Sequence, residues 1–136
     1  MFKKILVPID LSHNELGAQM IDLAKEIGGK SAEIVLTHVV HDIPAYAAVE
    51  ISGELLDKTH TWAKAELEKL AKDNNITGGA DLRHGSAGTA ILEAAAEHDV
   101  DLVIIGSHKP GVADYFLGST AGRVVRHAQC PVLVMR

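Results

Sequence analysis

The sequence predicts one α/β domain, an open, doubly wound parallel sheet with helices on both faces. Three observations predict it. Five short runs of strand-forming residues alternate with stretches whose apolar residues recur at helical spacing. Most of those runs are apolar almost without interruption, the mark of strands buried on both faces. The chain has 136 residues, enough for one core and too few for two, so residues 1–136 are read as a single domain. Right-handed crossovers between parallel strands then wind the helices onto both faces.

Each element has its own signal. Ile5–Ile9 (ILVPI) is apolar, β-rich and too short for a helix, so it reads as the first strand. Ser12 stands three residues before Glu15, a capping-box spacing, and the first helix is expected to start there. Its apolar positions are Leu16, Met20, Leu23, Ala24 and Ile27, and Gly28-Gly29 ends it. Ala32–Val40 is the second strand. The second helix is expected from Gly53 to Asn74, with Leu56, Thr59, Ala63, Leu67 and Leu70 as its buried stripe. Asp73-Asn74-Asn75 breaks it. Ala80–His84 reads as a short third strand of weak β character. Ser86 is placed to cap a helix with Ile91, Ala94, Ala95 and His98 on one side. Leu102–Ile105 is the fourth strand. Gly118–Ala128 is a last helix with Ala121, Val124, Val125 and Ala128 inward, and Pro131 introduces a fifth strand, Val132–Met135.

Composition narrows the function. Hydrophobic residues at 47 % and charged residues at 23 % describe a globular chain, not a disordered one. Aromatic residues are only 4 %, which leaves an aliphatic core and few platforms for single-stranded nucleic acid. A net charge of −5 argues against any general affinity for phosphate backbones, so no nucleic-acid partner is expected. The single cysteine, Cys130, cannot form an intrachain disulfide and reads as a buried, inert thiol. No apolar run has the length of a membrane span. The opening MFKKILVPIDLS lacks the long apolar stretch and cleavage site of a signal peptide, and a cytoplasmic protein is expected.

The longer connections, His41–Ser52 and Ser107–Leu117, both leave carboxyl ends of strands, the rim where open parallel sheets bind ligands. On that rim Gly106 closes the fourth strand and Gly118-Ser119-Thr120 opens the last helix. Unpaired N–H groups and the positive end of the helix dipole favour a phosphate there, with the two hydroxyls as further donors. The same residues also serve a plain helix start, with Gly118 turning the chain and Ser119 capping. Gly106 and Gly111 have the spacing of P-loop glycines, but Val112-Ala113 stands where Lys-Ser/Thr is required. No dinucleotide fingerprint follows the first strand, where Asp10-Leu11-Ser12 takes the turn. His38 and His41, three apart at a strand end, fall on opposite faces, and no metal-binding pattern accompanies them. His108 lies in the loop before the last helix, where it can meet a phosphate or metal, or simply pack.

ILVPIDLS, LTHVV, LVIIGSHKPG and above all FLGSTAGRVVRHAQCPVLVMR make the chain resemble the universal stress proteins over nearly its whole length. The resemblance implies strand order 3-2-1-4-5, a nucleotide cleft in the ATP-binding members, and homodimers. The family's nucleotide pattern is Gly, two residues, Gly, nine residues, then Gly followed by Ser or Thr. Gly106 and Gly118-Ser119 match it; the second glycine position holds Lys109, and only the eight residues Pro110 to Leu117 follow before Gly118. Carried over by position, Pro8, Ile9 and Asp10 edge the cleft from the first strand. Asp10 accepts from a ribose hydroxyl or helps hold a nucleotide-bound Mg, or else only forms the turn. Val39 matches the residue whose backbone meets adenine, while Ile105, Gly106, His108, Lys109, Gly118, Ser119 and Thr120 lie toward ribose and phosphates. The ligand implied is ATP, or AMP or ADP.

The last strand, VLVM, is apolar on both faces and ends the strand order, and an apolar edge invites pairing with a second copy. The leading expectation is therefore an ATP-binding, homodimeric, non-enzymatic stress-response module, regulatory or protective, paired through Val132–Met135. The alternatives are a dimeric interaction protein that binds no nucleotide, and a slow ATPase or self-phosphorylating protein with Ser119 or Thr120 as acceptor. For the last, no general base stands in a recognisable triad.

Overall fold

A computed structural model describes residues 1–12, 15–41, 53–107 and 117–136 of the chain. Their order is β1 (Lys4–Pro8), α1 (Gly17–Gly28), a single 3-10 turn (Gly29–Ser31), β2 (Glu33–Val40), α2 (Gly53–Asp73), β3 (Ala80–His84), α3 (Ala87–Glu97), β4 (Leu102–Gly106), α4 (Ser119–His127) and β5 (Val132–Met135). The strands form one sheet in the order β3-β2-β1-β4-β5, every pair parallel. No helix among the described residues is long and apolar enough to cross a membrane.

The uninterrupted apolar strands have a direct structural reason. Side chains alternate across a strand, and here both faces are covered. Ile5, Val7, Ile34, Leu36, Leu102 and Ile104 meet Met20, Ile21 and Ala24 of α1 and Leu67 and Ala71 of α2. Their neighbours Leu6, Val35, Val39, Val103 and Ile105 meet Ala90, Ile91 and Ala94 of α3 and Ala121 and Val124 of α4. Among the described residues the one buried polar side chain, Thr37, donates its hydroxyl to the Asp81 carbonyl at 2.8 Å. It therefore carries no unmet hydrogen-bonding cost.

Three expectations shift. The first helix begins at Gly17, not at Ser12, and Leu16 in the N-cap position makes no side-chain cap. The Ser12 N–H is instead taken by Asp10 Oδ1 at 3.0 Å, a local turn that competes with a helical start. In α2, Ala63, Leu67 and Ala71 are buried, but Leu56 and Thr59 are exposed. A helix of 21 residues is about 31 Å long, whereas the five-residue β3 spans about 17 Å, so the first half of α2 runs on past the sheet. That half is tied to β3 by stacking of His60 on His84, with Nδ1 and Nε2 2.9 Å apart. In α4, Val125 is exposed, because Ala121 and Val124 are the residues the helix turns toward α3 and the sheet.

Two charged clusters tie elements together. On the β3 side, Arg83 pairs with Asp81 at 2.9 Å and with Glu97 of α3, and His98 Nε2 meets Asp81 at 2.7 Å. Hydrogen bonding to Glu97 raises the Arg83 pKa, and the same contact lowers that of Glu97. On the other side of the sheet centre, Asp101 just before β4 accepts from the backbone N–H groups of Lys3 and Lys4 at 2.8 and 3.1 Å. Partial burial pushes the Asp101 carboxyl up, but the backbone hydrogen bonds outweigh it and hold the group below the ordinary aspartate range.

The sign of that shift fixes its pH dependence. A carboxyl with a lowered folded pKa stabilises the fold fully above its unfolded value, about pH 4, and loses this as pH falls through the folded value. Asp101→Asn should therefore cost about 1 kcal/mol at pH 7, a figure kept small because the group is only partly shielded. Urea unfolding of both proteins at pH 7 and pH 3 should show the gap closing at the lower pH. A gap of equal size at both would remove the carboxylate from the account.

Candidate functional site

At the carboxyl ends of the strands the described residues enclose a cleft of about 470 Å³. This is within the range of small-molecule sites, roughly 300–1,000 Å³. It opens where the strand order reverses between β1 and β4. Pro8, Ile9 and Asp10 enter from the end of β1, Thr37 to His41 from β2, and Ile105 to Ser107 from β4. Helices supply the walls: Leu16, Gly17 and Met20 of the α1 start, Thr59, Trp62 and Ala63 of α2, Ala87 and Ile91 of α3, and Ser119 and Thr120 of α4.

The floor is held by backbone and one imidazole. The Ile9 N–H donates to the Thr37 carbonyl at 2.7 Å, extending the β1–β2 pairing by one residue into the cleft. The His38 Nδ1 lies 2.8 Å from the Ile9 carbonyl. A carbonyl only accepts, so this nitrogen carries the proton and donates. The Leu11 N–H, 3.5 Å from the same nitrogen, is then a neighbour and not a partner. His38 thereby pins the turn that presents Asp10, whose exposed carboxylate holds the Ser12 N–H. The other ring nitrogen, Nε2, is then the acceptor of the neutral ring. Among the described residues no group of three or more His, Cys, Asp or Glu side chains can hold a metal ion.

At β4, an added Cβ on Gly106 would stand 3.2 Å from Leu16 Cδ1 and 3.7 Å from Met20 Sδ. The glycine keeps the strand end clear beneath α1, so packing supplies a reason for it besides any ligand. Gly118 is the N-cap residue of α4, with φ −58° and ψ 159° and no side-chain cap. Its negative φ is open to any residue, so no turn requires glycine here. With the N-cap side chain missing, the first-turn N–H groups at Ser119 and Thr120 stand at the cleft without a cap.

The structure brings together Pro8, Ile9, Asp10, Val39, Ile105, Gly106, Ser119 and Thr120 in this one cleft, with Gly118 directly before its α4 wall. His108 and Lys109 lie outside the described residues. Sequence reasoning missed Trp62, Thr59, Ser107 and the pinning role of His38. The sequence does signal Ser107, by its place directly after Gly106. The signal for Trp62 is an aromatic residue beside, not within, the apolar stripe of its helix.

The family model described as "Universal stress protein family" matches residues 1–136. The chain belongs to the universal stress protein family. Universal stress protein G of Salmonella typhimurium is 32 % identical over 145 residues, covering 100 % of both chains. Universal stress protein A homolog 2 of Coxiella burnetii is 33 % identical over 144 residues, covering 99 % of this chain and 95 % of its own. Among solved structures, hypothetical protein MJ0577 superposes with TM-score 0.81 at 29 % identity, covering 99 % of this chain and 96 % of that one. A universal stress protein solved in complex with cAMP shares the fold at TM-score 0.62 and 22 % identity, covering 99 % and 97 %. The Rossmann-like architecture of this universal stress protein, with strand order 3-2-1-4-5, is thus common to its structural relatives.

Proposed function

We propose that this universal stress protein binds an adenine nucleotide (ATP, or AMP or ADP) in the cleft and acts as a homodimeric, non-enzymatic regulatory or protective module. One observation carries the reading. A single cleft joins the β1 turn, the backbone at Val39, the end of β4 and the uncapped first turn of α4. That combination offers a base end of aliphatic residues and backbone groups and a phosphate end of N–H and hydroxyl donors. A family member in complex with cAMP is consistent with a nucleotide in this fold. Asp10 is the one carboxylate among the described cleft residues, so a Mg ion here would be held mainly by the phosphates it arrives with.

The dimer rests on the edge of the sheet. In β5, Val132 and Val134 pack toward one apolar cluster and Leu133 and Met135 toward the other, yet all four side chains are only half-buried. The Val103 N–H donates to the Pro131 carbonyl at 3.0 Å and the Ser107 N–H to the Met135 carbonyl at 2.6 Å. In a parallel ladder this alternation turns the N–H and C=O groups of Val132 and Val134 toward the open edge. A second copy related by a two-fold axis would satisfy them antiparallel and cover both edges at once.

Mass spectrometry of the protein purified without added nucleotide should find a co-purified adenine nucleotide. In titration calorimetry, Gly118→Val should weaken ATP at least tenfold and adenosine much less. The N-cap backbone accepts valine, so the fold survives; equal ATP affinity in both proteins would refute the phosphate assignment. Val134→Pro removes an outward N–H while leaving the β4 pairing intact, and should sediment as a folded monomer where the wild type is a dimer. A wild type that sediments as a monomer at micromolar concentration would refute the dimer. Phosphate release from bound ATP should fall well below the 1–10³ s⁻¹ of ordinary enzymes; a rate of that order would make the protein an ATPase.

A further inference from the structure

We infer that Trp62 is the stacking platform for the base of the bound nucleotide, an inference that rests on the adenine-nucleotide reading of the cleft. Trp62 is the only tryptophan in a chain with 4 % aromatic residues, and it is 49 % exposed. Large aromatic rings contribute most when covered, so a half-wet indole in a cleft wall is a surface that awaits a flat partner. The next residue, Ala63, is 1 % exposed and faces inward, so Trp62 is turned off the buried stripe of α2 while still lining the cleft.

The position along the cleft selects the base over the phosphates. α2 packs on β2 and β3, so Trp62 lies on the β2 side of the cleft, whose floor His38 and Val39 also line. The uncapped first turn of α4 lies beyond β1, toward the β4–β5 side and on the other face of the sheet. β2 and β4 flank β1 and are therefore about 10 Å apart, which separates an aromatic end from a donor-rich end. A ligand with phosphates at Ser119 and Thr120 and a planar ring on Trp62 uses both. Stacking recognises any aromatic base through its π-face, so Trp62 supplies affinity for the ring and leaves identity to hydrogen bonds from the floor.

Because the chain has one tryptophan, its emission reports on this position alone. ATP and adenosine should each change the emission, and tripolyphosphate, which has the anion and no base, should not. By calorimetry, Trp62→Ala should weaken adenosine and ATP alike by about tenfold, in line with base–aromatic stacking. Trp62→Phe, which keeps a π-face, should stay within about threefold of wild type. The variants alter a half-exposed position, so the fold is retained, checked by circular dichroism. If the wild type binds ATP by calorimetry while Trp62→Ala binds it equally well and the emission stays constant, Trp62 is not the platform and the nucleotide reading stands. If the wild type binds neither ATP nor adenosine, the nucleotide reading itself fails and takes this inference with it.

Discussion

The pairing of β1 with β4 is the contact on which the rest of this structure depends. It joins the amino-terminal crossover, β1 to β2, to the crossover that returns from β3, and it is the place where the strand order reverses. Helices on the two sides of the join cover opposite faces, α1 and α2 on one and α3 and α4 on the other. They diverge at the carboxyl rim, and the space between them cannot be filled by either layer. The cleft is a consequence of topology before it is a consequence of any side chain. Asp101 secures the opposite end of the join, where its carboxylate takes the N–H groups of Lys3 and Lys4 as β1 begins.

Given that space, chemistry is added sparingly. Backbone groups and small residues dominate the described rim: Gly17, Gly106, Ser107, Ser119 and Thr120 leave room, while Ile9 and Val39 give an aliphatic floor. His38 looks like a reactive group by composition, yet its Nδ1 is spent on the Ile9 carbonyl, where it fixes the turn carrying Asp10.

Much of the fold was legible because the inner strands had to be apolar on both faces, a constraint that marks β1, β2 and β4 most clearly. The third and fifth strands were read with their structural bounds, and the others to within one residue at either end. What failed were arguments that used local spacing without tertiary reach. Ser12 and Glu15 have capping-box spacing, but Asp10 takes the Ser12 N–H first. Leu56 and Thr59 follow the helical period of Leu67, yet the sheet ends before the helix does. Val125 was read into the stripe of Ala121 and Val124, yet it lies nearly half exposed. Of the site, the residues carried by strand ends and the last helix start were legible, since topology alone assigns them to the rim. Trp62 was not, because an aromatic residue on a long helix becomes informative only when one knows where the sheet stops.

The clasp at Asp101 also bears on the order in which the chain folds. Its hydrogen bonds to Lys3 and Lys4 bridge 98 and 97 residues of sequence. The β1–β2 and β2–β3 pairings close over much shorter loops and can form as soon as the first 84 residues exist. On a ribosome, β1 would therefore wait with one long edge unpaired until residues near 101 emerge. Loop closure of that length carries an entropic cost that slows docking. The central strand of the finished sheet is thus, for part of synthesis, an edge strand, and the charged pair Lys3-Lys4 at its start is well placed to discourage association with other chains during that interval.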